Sequence, residues 1–150
     1  MIDNAIDQFE GEYRFLSNFY PCKINAFGLS FDNAEAAFQS QKCVSRAPEF
    51  EHLSASSAKR LGRSVALRKD WETKKDLIMA QCVFAKFAQH ELLLKLLLNT
   101  NNAPLIEGNN WGDCYWGLCN GVGENKLGQI LVATREYFRT LIDPEIKIKR

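Results

Sequence analysis

Glu35, Gln39 and Lys42 stand at i, i+4 and i+7 in the stretch from Asp32 to Lys42, D-N-A-E-A-A-F-Q-S-Q-K. On a helix that spacing stacks a carboxylate, an amide and an ammonium on one face. These groups can exchange protons, donate hydrogen bonds and hold charge, which suits a polar row facing a cleft. Phe38 and the alanines supply only a modest apolar face beside it. A structural reading competes. Asp32 followed by Glu35 resembles a capping box, so Glu35 could tie up an early backbone N–H, and Lys42 near the C-terminal end complements the helix dipole.

Two irregular stretches could line such a cleft. In Gly11 to Pro21, aromatic and polar residues interleave too closely for a helix. Phe15, Leu16 and Phe19 can anchor a loop while Ser17 and Asn18 offer hydrogen-bonding groups; a plain Asx or Ser turn is the alternative. Asn109 to Gly117 and Asn120 to Asn125 gather glycines, asparagines, Trp111 and Trp116 into a loop of rigid aromatic walls with polar tips. Gly121-x-Gly123 is only a fragment of a dinucleotide-binding loop, without the third glycine, the preceding strand or the following acid.

The elements that must position these groups are mainly helical, with a small hairpin or two short strands over Cys22 to Phe31 around a turn glycine. The helix of the polar row should end near Cys43 to Ser45, before Pro48. A second helix runs from Glu49 to Leu61 with Gly62 as its C′ residue. The next begins near Asp70, a plausible cap, with Trp71 at its mouth. Leu77, Ile78, Met79, Cys82, Val83, Phe84 and Phe87 mark its buried side. Trp71 to Thr100 reads as two helices or one kinked one, with the leucine run Leu92 to Leu98 buried on more than one side. A last helix starts at or beside Asn125, packs Leu127, Ile130, Leu131, Ala133, Thr134, Tyr137, Phe138 and Leu141 inward, and admits a close neighbour at Gly128. Pro144 ends it, before a charged tail.

At 150 residues and 46% hydrophobic content the chain matches one domain spanning 1–150. A net charge of +1 argues against a nonspecific nucleic-acid binder. Five cysteines without a CxxC pair, and only His52 and His90 beside them, give no zinc signature and fit reduced thiols. No run approaches the roughly 18 apolar residues of a membrane span, and no signal-peptide core is visible. The expectation is a cytoplasmic protein without membrane, metal or cofactor; its oligomeric state is open. Lys59, Arg60 and Arg63 form either a solvated basic face or, through Lys59 or Arg63, an anion contact. Arg135 is either a surface arginine or a bidentate clamp.

Taken in order, Phe15-Leu16-Ser17-Asn18-Phe19, Glu35-x3-Gln39-x2-Lys42, Trp71, Lys86-Phe87, Leu96-x3-Thr100, Glu107, Asp113-x2-Trp116-Gly117, Gly123-x-Asn125-x2-Gly128 and Arg135 resemble the NADAR family, also called YbiA-like. The resemblance runs from about residue 12 to about residue 139 and implies a mostly helical single domain that hydrolyses ribosyl N-glycosidic bonds. One branch of that family cleaves phosphorylated intermediates of the riboflavin pathway, and another removes ADP-ribose from modified guanine. Either substrate, including ADP-ribosylated DNA, is open here. By resemblance Glu35 matches the functional glutamate, Trp71 the ring-contacting tryptophan, and Asp113 and Trp116 the acidic and aromatic residues of the late loop. Asn18 and Lys42 line the same cleft. Cys114-Tyr115 and the short loop from Cys119 to Gly123 depart from the pattern and bear on substrate choice.

Breaking a C–N glycosidic bond builds positive charge on the sugar and negative charge on the departing base. Glu35 is expected to stabilise the sugar or activate water, with Asp113 as a second carboxylate and Trp71 and Trp116 against the base. Lys42 is read as a cation for phosphate or base, or as the nucleophile of a Schiff base. Ser17, Asn18, Phe19, Gln39 and Asn125 are expected to contact substrate, and Arg63 and Arg135 to hold its phosphates. The competing class is a non-catalytic module that binds ADP-ribose or a nucleotide.

Overall fold

The computed structural model describes residues 4–142; Pro144 and the charged tail lie outside them. The chain is mainly helical, with short strands near its N-terminal end. It groups into two compact units. One is contiguous, Ser17–His90; the other is split, combining the described residues up to Leu16 with those from Glu91 onward.

The contiguous unit opens with β1 (Pro21–Ala26) and β2 (Leu29–Asn33), an antiparallel hairpin in which Ile24 faces Phe31 and Ala26 faces Leu29. Phe27 and Gly28 both have positive φ, 57° and 76°, the backbone of a two-residue turn that matches strand twist. Ile24 and Phe31 are fully buried. The hairpin runs directly into α1 (Ala34–Ser40). Its cap is Asn33 rather than Asp32: the Asn33 side chain accepts from Ala36 N at 2.7 Å and donates to Leu53 O at 3.0 Å. Asn33→Ala should therefore cost about 1–2 kcal/mol of stability, read by chemical denaturation; an unchanged midpoint would remove Asn33 from this role.

α1 also stops earlier than expected. Gln41 caps it, and Lys42 follows in a turn, its N–H on Gln39 O and its carbonyl accepting from Arg68 N. The helix expected from Glu49 starts later, at Ala55. Val44–Phe50 forms a 3-10 segment that accommodates Pro48, Ser54 caps a new start through Ser57 N, and α2 runs Ala55–Ser64. Gly62 thus lies inside α2 and is buried, not at its C′ position. α3 (Trp71–Gln89) begins after Asp70, whose carboxylate is held by Arg68 rather than by the helix start. α1 packs against α2, α3 and the hairpin. The Gln89 amide bonds both backbone groups of Asn25 at 2.8 Å, extending the hairpin edge with a side chain.

In the split unit, α4 (Glu91–Leu98) buries only Leu93 and Leu97, an i, i+4 pair; Leu92 and Leu96 are exposed, so the leucine run has one buried face. Two-residue parallel strands, β3 (Gly108–Asn109) and β4 (Leu118–Cys119), are the only regular pieces between α4 and α5 (Lys126–Ile142). Ile6 pairs with this region, donating to Pro104 O and accepting from Ile106 N. α5 starts beside Asn125 as expected, but Ala133, Tyr137 and Leu141 are exposed while Arg135 is buried. A Cβ at Gly128 would lie 2.1 Å from the Leu105 carbonyl oxygen, the close approach anticipated there. Among the described residues no single helix is long and apolar enough to cross a membrane.

Candidate active site

The polar row survives the early end of α1. Glu35 sits in the first turn, half-buried, and its own N–H donates to Asn18 O at 3.0 Å. With Asn33 capping the helix, the capping-box position falls on Ala36 rather than Glu35; Glu35 Oε2 accepts from Gln39 Nε2 at 2.7 Å. Gln39 is only 4% exposed, so its amide supports the carboxylate from inside the unit.

Lys42 is held beside this pair. Its Nζ lies 5.8 Å from the Trp71 ring centroid, and Trp71 packs on Phe38 with centroids 5.1 Å apart. Burial lowers the Lys42 pKa from its ordinary value, and the charges of Arg63 and Lys59 push the same way, while Glu35 opposes them. A lysine lowered by burial and like charges is more readily neutral, and so more nucleophilic, than one in water. Trp71 is 6% exposed and serves as a platform behind Lys42. Lys59 Nζ lies 5.9 Å over the exposed ring of Phe19, so Phe19 stands at the surface while Phe15 and Leu16 are the buried aromatic and aliphatic groups of that stretch.

The Ser17–Phe19 loop is fixed from several directions. Ser17 Oγ accepts from Phe19 N at 3.0 Å, and Asn18, buried, donates to Met79 Sδ at 3.2 Å. Below it lies Lys86, which the sequence offered without a role. It is 1% exposed, donates to Ser17 O at 2.9 Å, and lies 5.6 Å from the Tyr20 ring centroid and 5.2 Å from that of Phe87. Burial pushes its pKa down to about 8. The readable signal was its place on the apolar stripe Met79, Cys82, Val83, Lys86, where a charge is unexpected.

The other candidate residues belong to the split unit, where each has partners of its own. Asp113 Oδ1 accepts from the N–H groups of Tyr115 and Trp116 at 3.1 and 2.9 Å, and the two rings stack edge to face at 4.8 Å. Asn125, with φ 54°, donates to Leu105 O and accepts from Glu107 N, tying the loop shut. Arg135 is neither on the surface nor posed as an open clamp. At 3% exposure its Nη1 donates to Thr100 Oγ1 and Ala103 O, both at 2.9 Å, anchoring the segment after α4. Among the described residues no three His, Cys, Asp or Glu side chains are grouped to hold a metal ion.

The NADAR domain model matches residues 6–139. The chain belongs to the NADAR family. It is 40% identical to a protein of Shigella boydii named N-glycosidase YbiA over 131 residues, 83% of this chain and 81% of that one. A Vibrio vulnificus protein named for riboflavin biosynthesis is 35% identical over 128 residues, 81% of this chain but 35% of that longer protein. The NMR structure of Escherichia coli YbiA superposes with a TM-score of 0.80 at 35% identity, covering 93% of this chain and 88% of that one.

Proposed function

We propose that this protein is an N-glycosidase that hydrolyses the C–N bond of a phosphorylated ribosyl N-glycoside. The observation that carries the reading is Glu35: a half-buried carboxylate oriented by Gln39 and set beside a lysine whose pKa is lowered. A carboxylate so held can stabilise an oxocarbenium-like ribose and position the attacking water. Lys42, with Arg63 and Lys59 adding positive charge around it, offers an electrostatic seat for phosphate oxygens or for charge on the departing base. Asp113 enters the proposal through the loop it shapes, which carries Trp116.

The first substrate class is a phosphoribosyl intermediate of riboflavin synthesis, favoured by the name of the Vibrio vulnificus relative. ADP-ribosylated guanine shares the same bond and the same anionic character, and is the second. Incubating the protein with each substrate and identifying products by mass spectrometry tests the reading. Free base from the phosphoribosyl compound supports the first class; unmodified guanine plus ADP-ribose supports the second. Saturable binding of both without product would replace the enzyme by a binding module. A borohydride-trapped adduct that is lost in Lys42→Ala would replace direct hydrolysis by a Schiff base on Lys42.

A further inference from the structure

The inside of α2 carries a residue whose lack of a side chain matters to Glu35. The Gln39 carboxamide is packed between Glu35 and α2. Its Nε2 donates to Glu35 Oε2 at 2.7 Å, and its Oε1 is buried without a hydrogen-bond partner. That oxygen rests where a side chain at position 62 would begin: a Cβ on Gly62 would lie 1.9 Å from Gln39 Oε1, 2.8 Å from Cδ and 3.4 Å from Cβ. An ionised carboxylate only accepts hydrogen bonds, so the amide NH2 must face Glu35 and the amide oxygen must face α2. Turning the amide over would set two acceptors against each other.

Two unfavourable features therefore meet at one contact, a buried carbonyl oxygen without a donor and a glycine in the interior of a helix. Gly62 does not have a positive φ, so the backbone itself accepts alanine there, and alanine is the better helix former. The helix gains nothing from glycine. What the glycine provides is a slot for the amide.

We infer that Gly62 is a positioning residue for the reaction: its missing side chain seats Gln39, which in turn orients Glu35 and favours its charged form. The inference rests on the proposed role of Glu35, but its test needs no substrate. The Glu35 carboxyl carbon is titrated by NMR in the wild-type protein, Gly62→Ala, Gln39→Ala and the double variant. Loss of a donor to a carboxylate raises its pKa, so Gln39→Ala should move the Glu35 midpoint up by about one unit. Gly62→Ala should move it the same way with the helix content of the wild type. Gly62→Ala added to Gln39→Ala should move it no further, because the atom it strikes is gone. An unmoved midpoint in Gln39→Ala or in folded Gly62→Ala, or a further rise in the double variant, overturns the inference; the Gln39→Ala comparison stands even if Gly62→Ala alone fails to fold. With a substrate that the wild type turns over, Gly62→Ala should lose roughly tenfold in kcat and shift the acidic limb of the pH profile upward. If the midpoints move as expected while no ribosyl substrate is turned over, the assignment of function fails and the positioning of Glu35 by Gly62 stands.

Discussion

Glu35→Gln lowers the rate of C–N cleavage by roughly 10²–10⁴-fold, the usual contribution of a positioned acid–base group, and leaves the fold in place. The fold is spared because the helix start is capped by Asn33. Asn33 caps Ala36, and the bond from Glu35 to Asn18 is made by the backbone. Glutamine keeps the size of the side chain and can still meet the Gln39 amide, but it cannot remain negative opposite a sugar that becomes positive. Single-turnover product release set beside thermal denaturation checks both halves. A variant as stable and as fast as the wild type would take Glu35 out of the chemistry.

The second large effect is on stability. Lys86 titrates near 8 in the fold against an ordinary value of 10.5, so the unfolded chain binds the proton more tightly. Stability attributable to this residue is lowest below pH 8, rises through the window from 8 to 10.5, and levels off above it. The span is about 3 kcal/mol. At neutral pH the buried ammonium is retained by Ser17 O and by the faces of the Tyr20 and Phe87 rings. Lys86→Met removes the charge and this donor to the Ser17 carbonyl, which keeps the Tyr20 N–H, a cost of about 1 kcal/mol that does not vary with pH. Urea denaturation of both proteins across the window should show the wild type gaining on the variant as pH rises. A constant difference between them would mean that Lys86 titrates normally.

Much of this architecture was legible. Alternation around a turn glycine marks the hairpin, and apolar periodicity marks α3 and α5, because burial of one face imposes a repeat that a sequence must display. The polar row was legible for the same reason. What escaped were choices between neighbours with equal local credentials. Asp32 and Asn33 both cap well, and only the path of β2 decides between them. Gly62 has the composition of a helix end, yet its use is a contact with Gln39, which is distant in sequence. Asp113, Asn125 and Arg135 carry the groups that bind ligands, but the same groups bind backbone, and here all three hold loop segments of their own unit. Lys86 was visible as an oddity on an apolar stripe, while its partner, the carbonyl of Ser17, belongs to every residue type and leaves no trace in the sequence.

The split of the chain also sets an order of events during synthesis. Ser17–His90 is one uninterrupted run, whereas Ile6 bonds to Pro104 and Ile106. On a ribosome that delivers the chain from its N-terminal end, every residue of the Glu35–Lys42 row and its supports has been made before the partners of Ile6 exist. Ile6 thus acquires its native pairing only after the contiguous unit has been made, and a nascent chain arrested before residue 104 would carry the whole of that unit without the partners of Ile6.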